Sequence, residues 1–370
     1  MLQIKVKKSD FQQELGLVQS VVEKRATIPI LSNILIESSE AGIIIHGTDL
    51  DVSLQTQCPA VVDSSGGVAI DARKLFEIVR SLPEAEIHLK GDENNRVSLQ
   101  CERVRFKIAG LGKENFPQIP KFPSARLSIP GGTFKACIAR TIFATTQEES
   151  RYALSGIQLE ALSDNVLRMV ATDGHRLAIV DKQIETSLWE EGLKVLIPKK
   201  ALHECSKLIA NPDEFVDISV DENHVYFRVG HRELAARLLT GQFPNYEMVL
   251  PKDNDRIAQV SSEAIAAALR RVSLVSDERS HAVKLEFQSG RIELTSRGSV
   301  SDEEAVEDLL ADYEGDPFEI SFNSRYLLDF FNVVDAADVR IELMSNTSPA
   351  LIRPATEQEG YRYVVMPMRV

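Results

Sequence analysis

Long hydrophobic runs, paired cysteines and catalytic signatures are all missing from this 370-residue chain. No window approaches ~18 uninterrupted apolar residues, which excludes a membrane-spanning helix. The opening stretch MLQIKVKKSDFQQEL meets charge and glutamine before any apolar core of signal-peptide length, so no secretory leader is expected. Only four cysteines occur, Cys58, Cys101, Cys137 and Cys205, and none forms a Cys-x-x-Cys pair. Their wide spacing suits neither a metal knuckle nor a redox couple and points to reduced core residues of a cytosolic protein. Positive charge is short as well: 42 Lys and Arg stand against 55 Asp and Glu, a net of −13. That balance argues against a protein that coats itself in nucleic acid or lies on an anionic membrane.

What is present is a repeat. The apolar fraction of 44% is enough for a sizeable core, and a chain of this length divides into two or three domains. Arg73-Lys74-Leu75, Lys199-Lys200-Ala201 and Ser324-Arg325-Tyr326 each open an apolar helical run, with steps of 126 and 126 from 73 to 199 to 325. Phe116-Pro117 recurs as Phe243-Pro244 after 127 positions, and Thr48-Asp49 as Thr172-Asp173 after 124. Landmarks at nearly constant spacing predict three homologous domains, 1–123, 124–251 and 252–370, with Pro-rich junctions at Phe116–Pro123 and Phe243–Pro251.

Each copy follows one order. A first helix places Phe11, Leu15, Val18 and Val22 on one face, then Phe134, Ile138, Thr141 and Ile142, then Ile265, Leu269 and Val272. Strands of period two follow, such as Leu50, Val52 and Leu54, or Val283, Leu285 and Phe287. After the second helix comes another hairpin set. Val97, Leu99 and Cys101 oppose Val104, Phe106 and Ile108; Val216, Ile218 and Val220 oppose Val225, Phe227 and Val229. Two helices per domain against about eight antiparallel strands give an α+β layering.

Enzyme signals compete with plainer ones. In Ala171-Thr-Asp-Gly-His-Arg-Leu-Ala178, Asp173 and His175 could form an acid–imidazole pair. Asp-Gly is, however, a common turn dipeptide. No nucleophile elbow, P-loop or Gly-x-Gly-x-x-Gly accompanies it, so a hairpin turn is the better reading. Asp49-Leu50-Asp51 resembles half of a carboxylate metal site but fits a solvated strand better. No catalytic residue, metal or cofactor is predicted.

The octet, Phe243-Pro-x-Tyr246 with Val249-Leu-Pro251, and the closing Tyr363-Val-Val-Met-Pro-Met-Arg369 together resemble the bacterial DNA polymerase III beta subunit family, the replicative sliding clamps. Leu31-Ser-Asn33, Gly47-Thr-Asp-Leu50 and Ala72-Arg-Lys74 belong to the same pattern, which covers essentially the whole chain. The resemblance implies a non-catalytic, ring-shaped head-to-tail homodimer with helices lining the hole and sheets outside. It would encircle duplex DNA regardless of sequence. Through short linear peptides it would tether the polymerase III catalytic subunit, the clamp loader, other polymerases and repair factors.

The resemblance also implies sites. DNA-facing positions are Arg25, Arg73, Arg151, Tyr152 and Lys199. Nearby, Glu148, Ala153 and Gln242 depart from the family pattern in the direction of weaker phosphate contact. A client-peptide groove takes Leu154, Thr172, Gly174, His175, Arg176, Leu177, Pro244 and Val249 from the second domain. The third domain adds Asn323, Tyr326, Ser348, Val364, Val365, Met366, Pro367, Met368 and Arg369. Flexible, polarisable Met366 and Met368 suit a rim that repacks around several ligands, and Met248 makes it more apolar. At the dimer contact, Arg103, Arg105, Phe106 and Ile108 would meet Leu274, Val275 and the acidic run from Asp302 to Glu304. The six helical segments sum to +4, leaving −17 elsewhere, so the net charge does not exclude a protein that encircles DNA.

Overall fold

The computed structural model describes residues 1–23, 28–146, 148–184, 192–299, 303–356 and 360–369. These contain six α-helices: α1 (Lys8–Val21), α2 (Ala72–Ser81), α3 (Gly131–Ile142), α4 (Lys199–Leu208), α5 (Ser262–Val272) and α6 (Ser324–Phe331). Each of the three repeats therefore contributes two, and short antiparallel strands fill most of the rest.

Local chemistry sets the helix ends. The Asp71 carboxylate accepts from Lys74 N at 2.7 Å ahead of α2, and Asn323 accepts from Arg325 N at 2.9 Å ahead of α6. The apolar stripes are buried where the periodicity put them: Phe11, Leu15 and Val18 on α1, and Ile265, Leu269 and Val272 on α5. The helices are shorter than the segments 8–25, 70–82, 131–151, 198–210, 262–279 and 323–334 whose charges sum to +4. Within these tighter bounds twelve Lys and Arg face six Asp and Glu, a net of +6 against −13 for the chain.

Two compact units can be described. One contains Met1–Lys135 and Lys200–Leu238. Its thirteen-stranded sheet runs through a repeat junction, because Arg232–Arg237 of the second repeat pairs with Val52–Cys58 of the first. The other contains Ala136–Glu185 and Leu239–Val370, with a nine-stranded and a four-stranded sheet. There, Arg176–Gln183 pairs with Tyr361–Val365 across the next junction.

Hairpin register follows the sequence pattern. Cys101 faces Val104, Leu99 faces Phe106 and Val97 faces Ile108. Val220 faces Val225 and Ile218 faces Phe227. The four cysteines are buried free thiols, and burial raises Cys58 to about 12 and Cys137 to about 11. Among the described residues no helix is long and apolar enough to cross a membrane.

One strand assignment is corrected. Asp49, Leu50 and Asp51 form a turn, and the strand starts at Val52. Leu50 takes φ +81° and is 53% exposed. The turn's short polar side chains recruit backbone N–H groups that a strand would have left for its neighbour.

Candidate peptide groove and charged surfaces

The site grows from one turn that the chain makes twice. Thr172 Oγ1 accepts from Gly174 N at 3.1 Å and donates to the Arg176 carbonyl at 2.6 Å. Asp173 Oδ1 accepts from His175 N at 2.9 Å and from Arg176 N at 3.0 Å. In the first repeat, Thr48 and Asp49 make the equivalent bonds to Leu50, Asp51 and Val52. Gly174, at φ +90°, stands where Leu50 bears the left-handed conformation. The Asp173 carboxylate is thus committed to the turn, and the His175 ring stacks on Tyr326 with centroids 6.3 Å apart. The acid–imidazole reading gives way to this structural one.

Arg176 locks the turn to the third repeat. Its Nε donates to Asp173 Oδ2 at 3.0 Å, Nη1 to Asp329 and Nη2 to the Phe143 carbonyl at 2.7 Å. The guanidinium lies 4.4 Å from the Tyr326 ring centroid and 5.2 Å from that of Phe143. Burial opposes its charge, but Tyr363, Asp329 and Asp173 outweigh that and raise its pKa.

Beside the turn is a cavity of about 150 Å³. Ten residues expected of a groove line it: Leu154, Thr172, Gly174, His175, Arg176, Leu177, Pro244, Val249, Val364 and Met366. Asn245 and Tyr246 line it too; Tyr246 belongs to the Phe-Pro-x-Tyr motif, which held the signal. Leu154, Leu177, Pro244, Val249, Val364 and Met366 make much of the wall apolar, and Leu177, Tyr246 and Val364 belong to a buried cluster with Val170, Ile179, Leu196 and Phe243. Met248, on the same short turn as Tyr246 and Val249, is 81% exposed.

The remaining expected groove residues do not line this cavity. Val365 is fully buried, because strand alternation turns it to the face opposite Val364. Asn323 spends its side chain capping α6, and Ser348 bonds Ser345. Tyr326 acts through its stack on Arg176 and His175. Met368 N donates to the Ser321 carbonyl at 2.7 Å, Pro367 is half-buried and Arg369 is exposed.

The cationic positions vary in freedom. Arg25 lies outside the described residues. Arg73 is exposed on α2 and pairs with Glu77 at 3.0 Å. Arg151 pairs with Glu148 at 3.2 Å and donates to the Asp173 carbonyl, so the acid at 148 does offset this cation. Tyr152 is 54% exposed. Lys199 is half-buried, and burial and the nearby Arg176 lower its pKa.

The strand Val104–Leu111 is an edge along most of its outer side, since it pairs on that side only through Gly110 and Leu111. Arg103 and Arg105 are exposed there and Phe106 is partly so. Ile108 is 5% exposed, turned into its own sheet's core, and offers a partner little. Leu274 is 84% exposed beside half-buried Val275. Of the acidic run, Asp302 lies outside the described residues. On the edge strand Glu304–Leu310, Glu304 pairs with Arg297, Glu307 with Arg271 and Asp308 with Arg291. Its negative charge is largely offset at home.

Comparison with known proteins places the chain. The family descriptions for the N-terminal, central and C-terminal domains of the DNA polymerase III beta subunit match residues 2–120, 128–245 and 247–369. The beta sliding clamp of Caulobacter vibrioides is 35% identical, with all of both chains covered. That of Escherichia coli is 32% identical over 99% of each. Among solved structures, the sliding clamp of Pseudomonas aeruginosa superposes with a TM-score of 0.93 at 31% identity, covering 100% of both chains. The Bacillus subtilis clamp gives 0.94 at 28%, covering 100% of this chain and 99% of the other.

Proposed function

The chain belongs to the bacterial DNA polymerase III beta subunit family, the DNA sliding clamps, and from that premise we propose how its residues divide the work. It is a processivity factor and not an enzyme. The carrying observation is the succession of three family domains, in order, between residues 2 and 369. We draw the domain boundaries at 123 and 251. Two chains head to tail make a closed six-domain ring, the outcome that a heterologous contact needs to avoid a filament.

Arg73, Arg151, Tyr152 and Lys199, with Arg25, are the DNA-facing set. Their charge is modest and partly offset, which suits sliding: weak, salt-screened contacts to phosphate hold no sequence and no register. The acidic remainder discourages DNA on other surfaces. The apolar cavity beside the Thr172–Arg176 turn takes client peptides of aliphatic and aromatic character. The polymerase III catalytic subunit, the clamp loader, other polymerases and repair factors are the clients in this reading, and the cytoplasm is where it acts. Phe106 with Leu274 and Val275 forms the apolar centre of the dimer contact, and the two exposed strand edges pair across it.

Topology supplies the test. After loading, the protein should stay on nicked circular DNA in high salt and leave when the circle is cut. Equal retention on both forms would replace encirclement with ordinary electrostatic binding.

A further inference from the structure

Tyr246 has one end in the groove and the other in a polar network. Its ring lines the cavity and meets Phe243 edge-on at 6.4 Å. Its hydroxyl donates to Glu160 Oε2 at 3.0 Å and accepts from Arg168 Nη1 at 3.3 Å. Glu160 is 1% exposed and also takes Gln158 and, at 3.4 Å, Lys194. Arg168 grips Asp181 with two bonds of 2.6 and 2.8 Å, and Arg362 closes on the same carboxylate at 2.7 Å. Burial foremost pushes the Tyr246 hydroxyl up to about 12, so it remains an O–H donor.

The internal repeat supplies a control. Glu160 faces Arg168 across two paired strands, and in the first repeat Glu37 faces Ile44 in the same register. The 127-residue step that takes Phe116 to Phe243 takes Ile119 to Tyr246. Both copies keep the carboxylate, but the first has Ile44 and Ile119 where the second has Arg168 and, lining the cavity, Tyr246. Stability alone does not demand them there, because the first copy packs Ile119 against Leu35, Ala69 and Phe116 without either.

We propose that Tyr246 is a positioning residue: its hydroxyl, held by Glu160 and Arg168, fixes the turn Tyr246–Val249 so that Pro244 and Val249 stand as a preformed groove wall. The inference rests on the peptide-groove reading. A long aromatic side chain anchored at its far end cannot swing into the empty cavity. Without the anchor the wall samples closed positions, and the competent fraction divides the affinity. The cost therefore appears in association more than in dissociation.

The experiment uses the intact dimer and a fluorescein-labelled synthetic peptide of Gln, aliphatic residues and a terminal Phe. Tyr246→Phe and Glu160→Ala should each weaken binding roughly tenfold, the scale of one lost buried hydrogen bond. The loss should lie in the association rate, the double variant should be no weaker than either single one, and Glu160→Gln, which still accepts the bond, should bind within about threefold of the unaltered protein. Dimer mass and melting temperature check folding. Wild-type affinity in Tyr246→Phe, losses that multiply, or a loss confined to dissociation would overturn the proposal. Met366→Ala separates the two readings. If it weakens binding and Tyr246→Phe does not, only the positioning role falls. If the unaltered protein ignores the peptide, the groove reading falls and this one with it.

Discussion

Tyr326 lies over Arg176, ring centroid to guanidinium carbon 4.4 Å, and so ties the third repeat to the turn of the second. The step of 126 places Lys200 at the matching point of the preceding junction, and there Lys200 pairs with Asp49 and donates to the Val21 carbonyl at 2.8 Å. One turn thus meets two different helix starts. An ammonium takes this place at the first junction, whereas a flat aromatic and a guanidinium stand beside an apolar cavity at the second.

Arg176→Lys should cost more than its conserved charge suggests. Lysine can replace one ion pair but not the three-way fork to Asp173, Asp329 and Phe143, nor the stacked plane. We expect a loss of about 2–4 kcal/mol in denaturant unfolding, with weaker peptide binding. A loss under about 1 kcal/mol would show that the fork adds little.

A buried pair in the other unit predicts a pH dependence. Arg232 donates to both Glu14 oxygens, at 3.1 and 2.6 Å, and Thr56 adds a bond of 2.6 Å. Burial would raise the Glu14 pKa, but these bonds and the Arg232 charge outweigh it and hold it below the ordinary 4.5. The stabilisation is then fully present above about 4.5 and disappears as pH falls through the lowered value. Glu14→Gln should therefore be less stable than the unaltered protein at pH 7, by roughly 1–3 kcal/mol. The gap should close in acid as the native carboxyl protonates. Thermal melts from pH 7 to pH 3 check this, and a gap that widens in acid would reverse the assigned sign.

At the dimer contact, apolar burial should outweigh charge. Leu274→Ala should weaken the dimer by about 10- to 100-fold, the worth of burying one leucine. Arg103→Glu with Arg105→Glu should weaken it less than about tenfold, mainly by slowing association, and the effect should fade at high salt. The reason is that Glu304, Glu307 and Asp308 already pair with arginines of their own chain. Sedimentation velocity at two salt concentrations separates the cases, and an arginine effect larger than that of Leu274 would invert the ranking.

Much was written in the sequence by itself. The repeat follows from landmarks 124 to 127 positions apart; the two helices per copy, their buried stripes and the hairpin register from Val97 to Ile108 follow from periods of 3.6 and 2, which depend on near neighbours alone. The motifs carrying the groove were visible for the same reason: a turn's hydrogen bonds lie within five residues. What tertiary structure alone decided is how distant elements share space. It buried Ile108, which the strand pattern alone left open to a partner. It paired the acids of Glu304–Leu310 with arginines of their own chain. It also joined Glu160, Arg168 and Tyr246, which are 86 and 78 positions apart along the chain for the two bonds to the tyrosine. Periodicity says which face a side chain takes. Only the packed fold says which charge, ring or carbonyl from far along the chain waits there.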